Sequence, residues 1–461
     1  VGSGFGTDAL ARRAVRLHFT LKDADLYSIR SGKLSQDKTM THIRTWADGH
    51  PEVFETFSKP PIAWPCEQIR TELSPVYQPT VVRSADQELF SVGTEGQVYH
   101  SQNLGRTWSL LAASPPLPPS LPEGLTRTAC ATNGIGVTDE GTLLVVWGMG
   151  ANDGGHGEAR REDESHHTFA WMTRSTDRGA TWVSTELFDP SPFDVVGDQT
   201  VPIRLRDGRL LVPFIVQRWA RPGRQVSASE DYFRSYLYSS NNDGKTWSRF
   251  SRFTDHSPEP SLLELPDGEI VASIRYQRNK VPGDPPEFAS DARLYSGVGA
   301  PTDPGCQLFQ NTAFSSSKDG GKTWATPRIV TASAQQSGSI LRLSDGTLIL
   351  TFGRYGQRFM LSYDSGVTWS RDVYELYRCG QYARSIILDD DSVVTVHDSR
   401  ETWNFRGQTL RCYDDSVVPD GEDVTSWGSG RLGILRWNVP SRSRVELNGF
   451  FTPHEAEIEL Q

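Results

Sequence analysis

Four side chains mark where this sequence has the means for chemistry: the carboxylate Glu259, the phenol Tyr382 and the guanidinium groups Arg275 and Arg354. Such groups move protons and hold anions. They stand far apart along the chain. Only a fold that returns equivalent points of a repeated unit to one place brings them together, so the first question is whether the sequence repeats.

It does. Five segments share one pattern, Ser-x-Asp/Asn-x-Gly-x-Thr-Trp, running Ser101 to Trp108, Ser175 to Trp182, Ser240 to Trp247, Ser317 to Trp324 and Ser362 to Trp369. The Asp or Asn side chain bonds to backbone within a tight turn, Gly accepts positive φ there, and Trp packs the turn onto its sheet. Five copies in one internal register are the mark of a repeat architecture. They read as structural, with no catalytic part.

A second repeat lies between these boxes: short apolar strands flank an Asp-Gly turn ending at Gly141, Gly208, Gly268 and Gly346, and an Asp-Asp turn ending at Asp391. A degenerate copy, Ala85-Asp86-Gln87, precedes the first box. Each is a hairpin signal. Six such units of four antiparallel strands predict an all-β, six-bladed β-propeller. Counting from each turn residue, the position nine before begins the innermost strand and the position seven or eight after ends the next one. Antiparallel strands put these two positions at the same end of the blade. The first set is Gln78, Thr132, Gln199, Glu259, Ser337 and Tyr382; the second includes Thr94, Arg275, Arg354 and Asp398. Polar groups from six blades thus converge on the pole opposite the hairpin turns, around an axial depression of the kind that holds ligands.

With these motifs the chain resembles the sialidase (neuraminidase) superfamily over roughly residues 75–400, a family of six-bladed propellers with Asp-box repeats. Glu259 and Arg275, 16 residues apart (275 − 259), match the family's glutamate and second triad arginine. Arg354, eight before Ser362, matches the third triad arginine, Tyr382 in Gly-Gln-Tyr-Ala-Arg-Ser matches the nucleophile, and Asp398 falls where a glutamate steadies the first arginine. The resemblance implies a retaining glycosidase in which Tyr382 attacks, Glu259 is its base, and Arg275 and Arg354 hold a sugar carboxylate. A neutral phenol avoids the repulsion a carboxylate nucleophile meets beside such a carboxylate.

The chain departs from the family twice. Val76-Tyr77-Gln78-Pro79 replaces the Phe-Arg-Ile-Pro signature, so Tyr77 stands where the first triad arginine belongs. Losing one of three arginines weakens carboxylate recognition by ~1.5–3 kcal/mol, the worth of a charged hydrogen bond. The stretch from Leu89 to Ser101 is also short and lacks the acid/base aspartate, leaving only Glu95. A polar insertion from Gly148 to His167, at the functional pole by register, offers Asp153 or His156 as general acid or base. Its other reading is a solvated charged loop. His166 and His167 are adjacent, and neighbours on a strand point to opposite faces, so no metal site is expected.

Lys+Arg 47 against Asp+Glu 57 gives a net charge of −10, the wrong sign for a broad nucleic-acid surface. No apolar run is long enough for a membrane span. The five cysteines are scattered, with no Cys-x-x-Cys pair. No cofactor is expected, and the expected setting is secreted or periplasmic. Residues 1–64, with a strand-like Ala14 to Thr20, are expected to cap or close the propeller of 65–440, with 441–461 a tail packed on it. Residues 280–306 form an insertion leaning toward the funnel. The leading function is an exo-acting retaining hydrolase of a terminal acidic sugar on a glycan. The alternatives are a lyase of uronic-acid chains, favoured by the histidine-bearing insertion, and a non-catalytic glycan-binding propeller.

Overall fold

The structure is a computed structural model. It describes residues 40–45, 51–56 and most of 61–455; the longer stretches outside the description are 153–165, 218–233, 280–306, 332–337, 378–382 and 412–429. The strand-like stretch at 14–20 also lies outside the described residues.

Six antiparallel units follow one another in a ring, a six-bladed β-propeller. Blade 1 comprises Val81–Arg83, Leu89–Val92, Val98–Ser101 and Ser109–Leu110. Blade 2 comprises Thr126–Val137, Leu143–Asn152, His166–Ser175 and Val183–Ser184. Blade 3 is built from Ile203–Arg204, Leu210–Gln217, Arg234–Ser240 and Ser248–Asp255, and blade 4 from Ser261–Glu264, Ile270–Asn279, Gln307–Ser317 and Arg328–Ile329. In blade 5 the strands are Ile340–Arg342, Leu348–Phe352, Gln357–Ser362 and Tyr374–Tyr377. Blade 6 takes Arg384–Ile387, Val393–Ser399 and Arg431–Trp437 from the end of the ring, and its fourth strand, Glu67–Arg70, from before blade 1. Val195–Gly197 bridges blades 2 and 3.

The strands are apolar on both faces because each blade is covered on both sides. Six buried clusters lie one at each junction between neighbours. Phe90 and Val98 of blade 1 meet Trp147 and Trp171 of blade 2, and the ring closes where Val394 and Ile434 of blade 6 meet Val81 and Leu89 of blade 1. The second strand of blade 5, Leu348–Phe352, is buried at every residue.

The six hairpin turns share one geometry: the turn residue's N–H donates to the carbonyl three residues earlier at 2.9–3.0 Å, from Gln87, Gly141, Gly208, Gly268, Gly346 and Asp391. Gln87 and Asp391 take φ of 66° and 60° although neither is glycine, so the degenerate copies keep the shape. In the boxes the glycine N–H donates to the serine hydroxyl at 2.7–3.0 Å in all five copies. Thr181 and Thr323 donate hydroxyl and backbone hydrogen bonds to Asp177 and Asp319, which holds both carboxyls down to about 2.

Three of the six pairs of neighbouring inner strands are stitched in the same way. Thr80, Ser261 and Ser339 each accept, through the side-chain hydroxyl, a backbone N–H of the next blade, from Ile135, Ile340 and Ser385 respectively. Beyond Trp437, Phe450–Phe451 pairs with Trp369–Ser370, and His454–Glu455 extends blade 4. Ile62–Ala63 adds a parallel strand to blade 5. No helix among the described residues is long and apolar enough to cross a membrane.

Candidate functional site

Register decides what meets at the pole where the innermost strands begin. In blade 4 the pairing Ser261↔Ser273, continued by two residues, sets Glu259 opposite Arg275. The two side chains join there in an ion pair, Arg275 Nη1 donating to Glu259 Oε1. Glu259 is 2 % exposed. A buried carboxylate needs such a partner, because removing either charge leaves the other uncompensated in a medium that solvates it poorly.

The backbone at Glu259 is as unusual as its side chain. Its φ is +54°, and the equivalent Gln78 of blade 1 has φ +52°. Both precede a proline, Pro260 and Pro79. The other non-glycine residues with positive φ, among those described, all lie in hairpin turns or boxes. Left-handed backbone outside turns is concentrated at functional sites. Here it occurs at two equivalent points of the polar rim.

Arg384 of blade 6 completes the described core of the site. It is buried, and its Nη1 donates to the carbonyl of Gly338 at 2.5 Å and its Nη2 to the carbonyl of Glu259 at 3.3 Å. One guanidinium thus links blades 6, 5 and 4. Sequence reasoning passed over it. The position seven before the turn residue gave little signal, since it holds Thr80, Ser261 and Ser339 in blades 1, 4 and 5 but Gly134 and Val201 in blades 2 and 3 (87 − 7, 268 − 7, 346 − 7, 141 − 7, 208 − 7; for blade 6, 391 − 7 = 384).

Elsewhere on the rim, Thr94 and Thr132 meet across blades 1 and 2: the Thr132 N–H donates to the Thr94 carbonyl at 3.0 Å, and its hydroxyl donates to the Gly93 carbonyl. Tyr77 and Gln78 are half-buried at the start of blade 1. Asp398 is fully buried in the second strand of blade 6, beside Gly430, whose backbone bridges to Val76. Asp398 and Tyr77 therefore share the junction of blades 6 and 1. Glu95 is exposed. Tyr382, Arg354, Gln199, Ser337, Asp153 and His156 lie outside the described residues. Tyr382 directly precedes the buried Ala383 in sequence.

Asn152 pairs with His166 in blade 2 and Asn279 with Gln307 in blade 4, so the second and third strands of these blades extend toward this pole. In blades 3 and 6 the second and third strands are separated in sequence by 218–233 and 400–430, stretches that the sequence reading did not single out. The last carries a small hairpin, Thr402–Phe405 with Gln408–Arg411.

The structure is a six-bladed β-propeller with a buried glutamate–arginine pair at its strand-start pole. Residues 129–282 match the family described as BNR repeat-like domain. A sialidase of Bacteroides fragilis (strain YCH46) is 24% identical over 337 residues, 58% of this chain and 59% of that protein, so the chain spans about three fifths of that relative's length. Among solved structures, the Hadza microbial sialidase Hz136 is similar at 17% identity and TM-score 0.49, over 76% of this chain and 70% of that one. An α-L-arabinofuranosidase of Fusarium graminearum with an iminosugar inhibitor is similar at 12% identity and TM-score 0.48, over 85% of this chain and 99% of that one. The chain is thus similar to BNR repeat-like domains over residues 129–282 and to a sialidase over 58% of its length.

Proposed function

We propose that this protein is an exo-acting, retaining glycoside hydrolase that releases a terminal acidic sugar from glycans. The observation that carries the reading is the buried Glu259–Arg275 pair at the strand-start pole, in the same register position of its blade that Tyr382 occupies in blade 6. A binding module has no need to hold a carboxylate in that dry position.

In this mechanism Tyr382 Oη attacks the anomeric carbon while Glu259 takes up the phenolic proton. The glycosidic C–O bond breaks with its electron pair on the leaving oxygen, which receives a proton from Asp153 or His156. Water, giving its proton to the now deprotonated Asp153 or His156, then attacks the same carbon from the opposite side, the tyrosyl–sugar bond breaks, and the phenolate regains its proton from Glu259. Two inversions give net retention. Arg275 and Arg354 hold the sugar carboxylate, Tyr77, Gln78 and Gln199 line the sugar's polar edge, and Asp398 supports the rim from below.

A second reading, a lyase of uronic-acid chains, is supported by the histidine-bearing insertion that carries His156. One experiment separates the readings. The protein is assayed on fluorogenic sialosides, uronides and arabinofuranosides, and on a polyuronate followed by absorbance of the unsaturated product. Release from an acidic exo-substrate is expected, with Tyr382→Phe lowering turnover by at least ~100-fold, a loss of the size that general-base and nucleophile removal produce, while sugar binding persists. Full activity in Tyr382→Phe rules the mechanism out; unsaturated product replaces it with the lyase, and binding without any product replaces it with a glycan-binding module.

A further inference from the structure

At the pole of the hairpin turns, opposite Glu259 and Arg275, one pair of positions links neighbouring blades at three of the six junctions. These are the residue four before a turn residue and the residue two before the turn residue of the preceding blade. Arg83 of blade 1 meets Asp389 of blade 6 at 2.8 Å, and Arg204 of blade 3 meets Asp139 of blade 2 at 3.1 Å (87 − 4, 391 − 2; 208 − 4, 141 − 2). In blade 4 the place belongs to Glu264, which accepts the backbone N–H of Arg206 in blade 3 at 2.8 Å. Blades 2 and 6 have apolar residues there, Val137 and Ile387, matched in register with Ala85 and Ser344. Blade 5 differs from all of these. It has Arg342, an arginine like Arg83 and Arg204, but the position that supplies their carboxylate is Pro266 (346 − 4, 268 − 2).

Arg342 keeps the pose of its counterpart without the partner. Its Nη2 lies 3.4 Å from where a Cβ on Gly346 would stand, and that of Arg204 lies 3.7 Å from the same point on Gly208, so each guanidinium lies across its own turn. Among the described residues Arg342 makes no hydrogen bond or ion pair. The Pro266 carbonyl accepts from Nη1 of Arg206 instead. Arg342 borders a cavity of about 310 Å³, walled also by Pro266, Asp267, Asp345, Tyr363 and Arg442. That is room for one sugar ring, at the small end of ligand sites. Arg442 comes from the short helix Arg442–Glu446 and is held on two sides: its guanidinium sits 4.7 Å from the centre of the Tyr363 ring, and its Nε donates to Glu446 at 2.8 Å. Asp267 and Asp345 each use Oδ1 to accept an N–H of their own turn, from Glu269 at 3.1 Å and from Thr347 at 2.8 Å, and Oδ2 is left to accept from a ligand.

We propose that this cavity is a glycan-binding site separate from the candidate active site, taking one acidic sugar residue with its carboxylate on Arg342 and its ring hydroxyls on Asp267 and Asp345. A guanidinium presents parallel N–H donors that match the two oxygens of a carboxylate, so the sugar's acid replaces the one that Pro266 does not provide. The two wall carboxylates repel a bare, multiply charged anion but accept hydroxyls readily. The fitting ligand therefore carries one negative charge and several hydroxyls. This site does not depend on the hydrolase reading: it holds the protein on an acidic glycan whether or not the other pole cleaves it.

The test is titration calorimetry with D-glucuronate, D-galacturonate and N-acetylneuraminate, set against D-glucose, which has hydroxyls without the charge, and acetate, which has the charge without hydroxyls. Two variants isolate this pole. Pro266→Asp restores the carboxylate found at 139 and 389 and so satisfies Arg342 internally; Arg342→Gln removes the charge. The quantity read is the binding lost between wild type and each variant, so any binding at the opposite pole, which both variants leave intact, cancels. At least one acidic sugar is expected to bind wild type, with both variants weakening that component by about 10–100-fold, and glucose and acetate at least about tenfold weaker than the sugar acid. Identical titrations of wild type and both variants overturn the proposal, as does failure of all three acidic sugars to bind. Acetate binding as tightly as the sugar overturns the sugar assignment, and glucose binding as tightly overturns the part given to Arg342. Pro266→Asp is expected to melt no lower than wild type, since it adds a surface ion pair. If it does not fold, Arg342→Gln decides alone, and unchanged binding in that variant overturns the proposal.

Discussion

At position 259 a glutamate occupies left-handed backbone, before a proline, with its carboxylate out of water and its carbonyl in the grip of an arginine from two blades away. The pairing with Arg275 makes this tenable. Glu259→Gln or Arg275→Met is expected to destabilise by about 3–5 kcal/mol, because either leaves a buried charge without its counterpart, and the double replacement by less than the sum. Chemical denaturation of the four proteins in a double-mutant cycle measures this, and additive losses contradict it. His397, beside Asp398, supplies a pH signature. Burial, first, and the charge of Arg70 lower its pKa to about 4 against an opposing hydrogen bond to Asp398. Between pH 6.5 and 4 the unfolded chain takes a proton that the folded chain refuses, so stability falls as pH falls through that window and the effect levels off below it. The contribution is about 3 kcal/mol. Urea denaturation from pH 7 to 4 should show a steeper decline in wild type than in His397→Leu; parallel curves refute the assignment.

The elements were the most legible part of the sequence. Asp-Gly turns and Ser-x-Asp/Asn boxes specify local hydrogen bonds, so their type and spacing carry the blade phase directly, and Gln87 and Asp391 show that the phase survives without glycine. The same phase set Glu259 opposite Arg275. Arg384 was hard to foresee because it bonds to backbone carbonyls of two other blades, and carbonyls leave no trace in residue identity. The fourth strand of blade 6 was hidden too, since Glu67–Arg70 shows little periodicity and is defined by the partner it finds, Arg431–Trp437. Gly338 belongs to this scale. It precedes the stitching Ser339, and Thr351 donates its N–H to the Ser339 carbonyl at 2.9 Å, so the two strands have no slack there. Gly338→Ala is expected to cost about 3 kcal/mol, the upper range of overpacking, and to lower the midpoint of thermal unfolding measurably. A melting curve matching wild type would show that the strands spread freely.

For the whole molecule, the six junction clusters make each blade depend on two neighbours, and the ring is continuous only because the junction of blades 6 and 1 is made. Ile69 of the closing strand packs against that junction. Deleting the chain through Arg70 is expected to turn one sharp calorimetric transition into a broad one at lower temperature, since blade 6 then exposes an unpaired edge. A sharp transition at the original temperature would mean that the circle holds with three strands in its last blade. The closing strand also sets the order of assembly. During synthesis, residues 67–70 leave the ribosome long before their partner at 431–437 exists, and no rearrangement of the nascent chain shortens that wait. Every blade before the sixth must collapse beside an open seam, and the ring closes only when an early strand joins a late one.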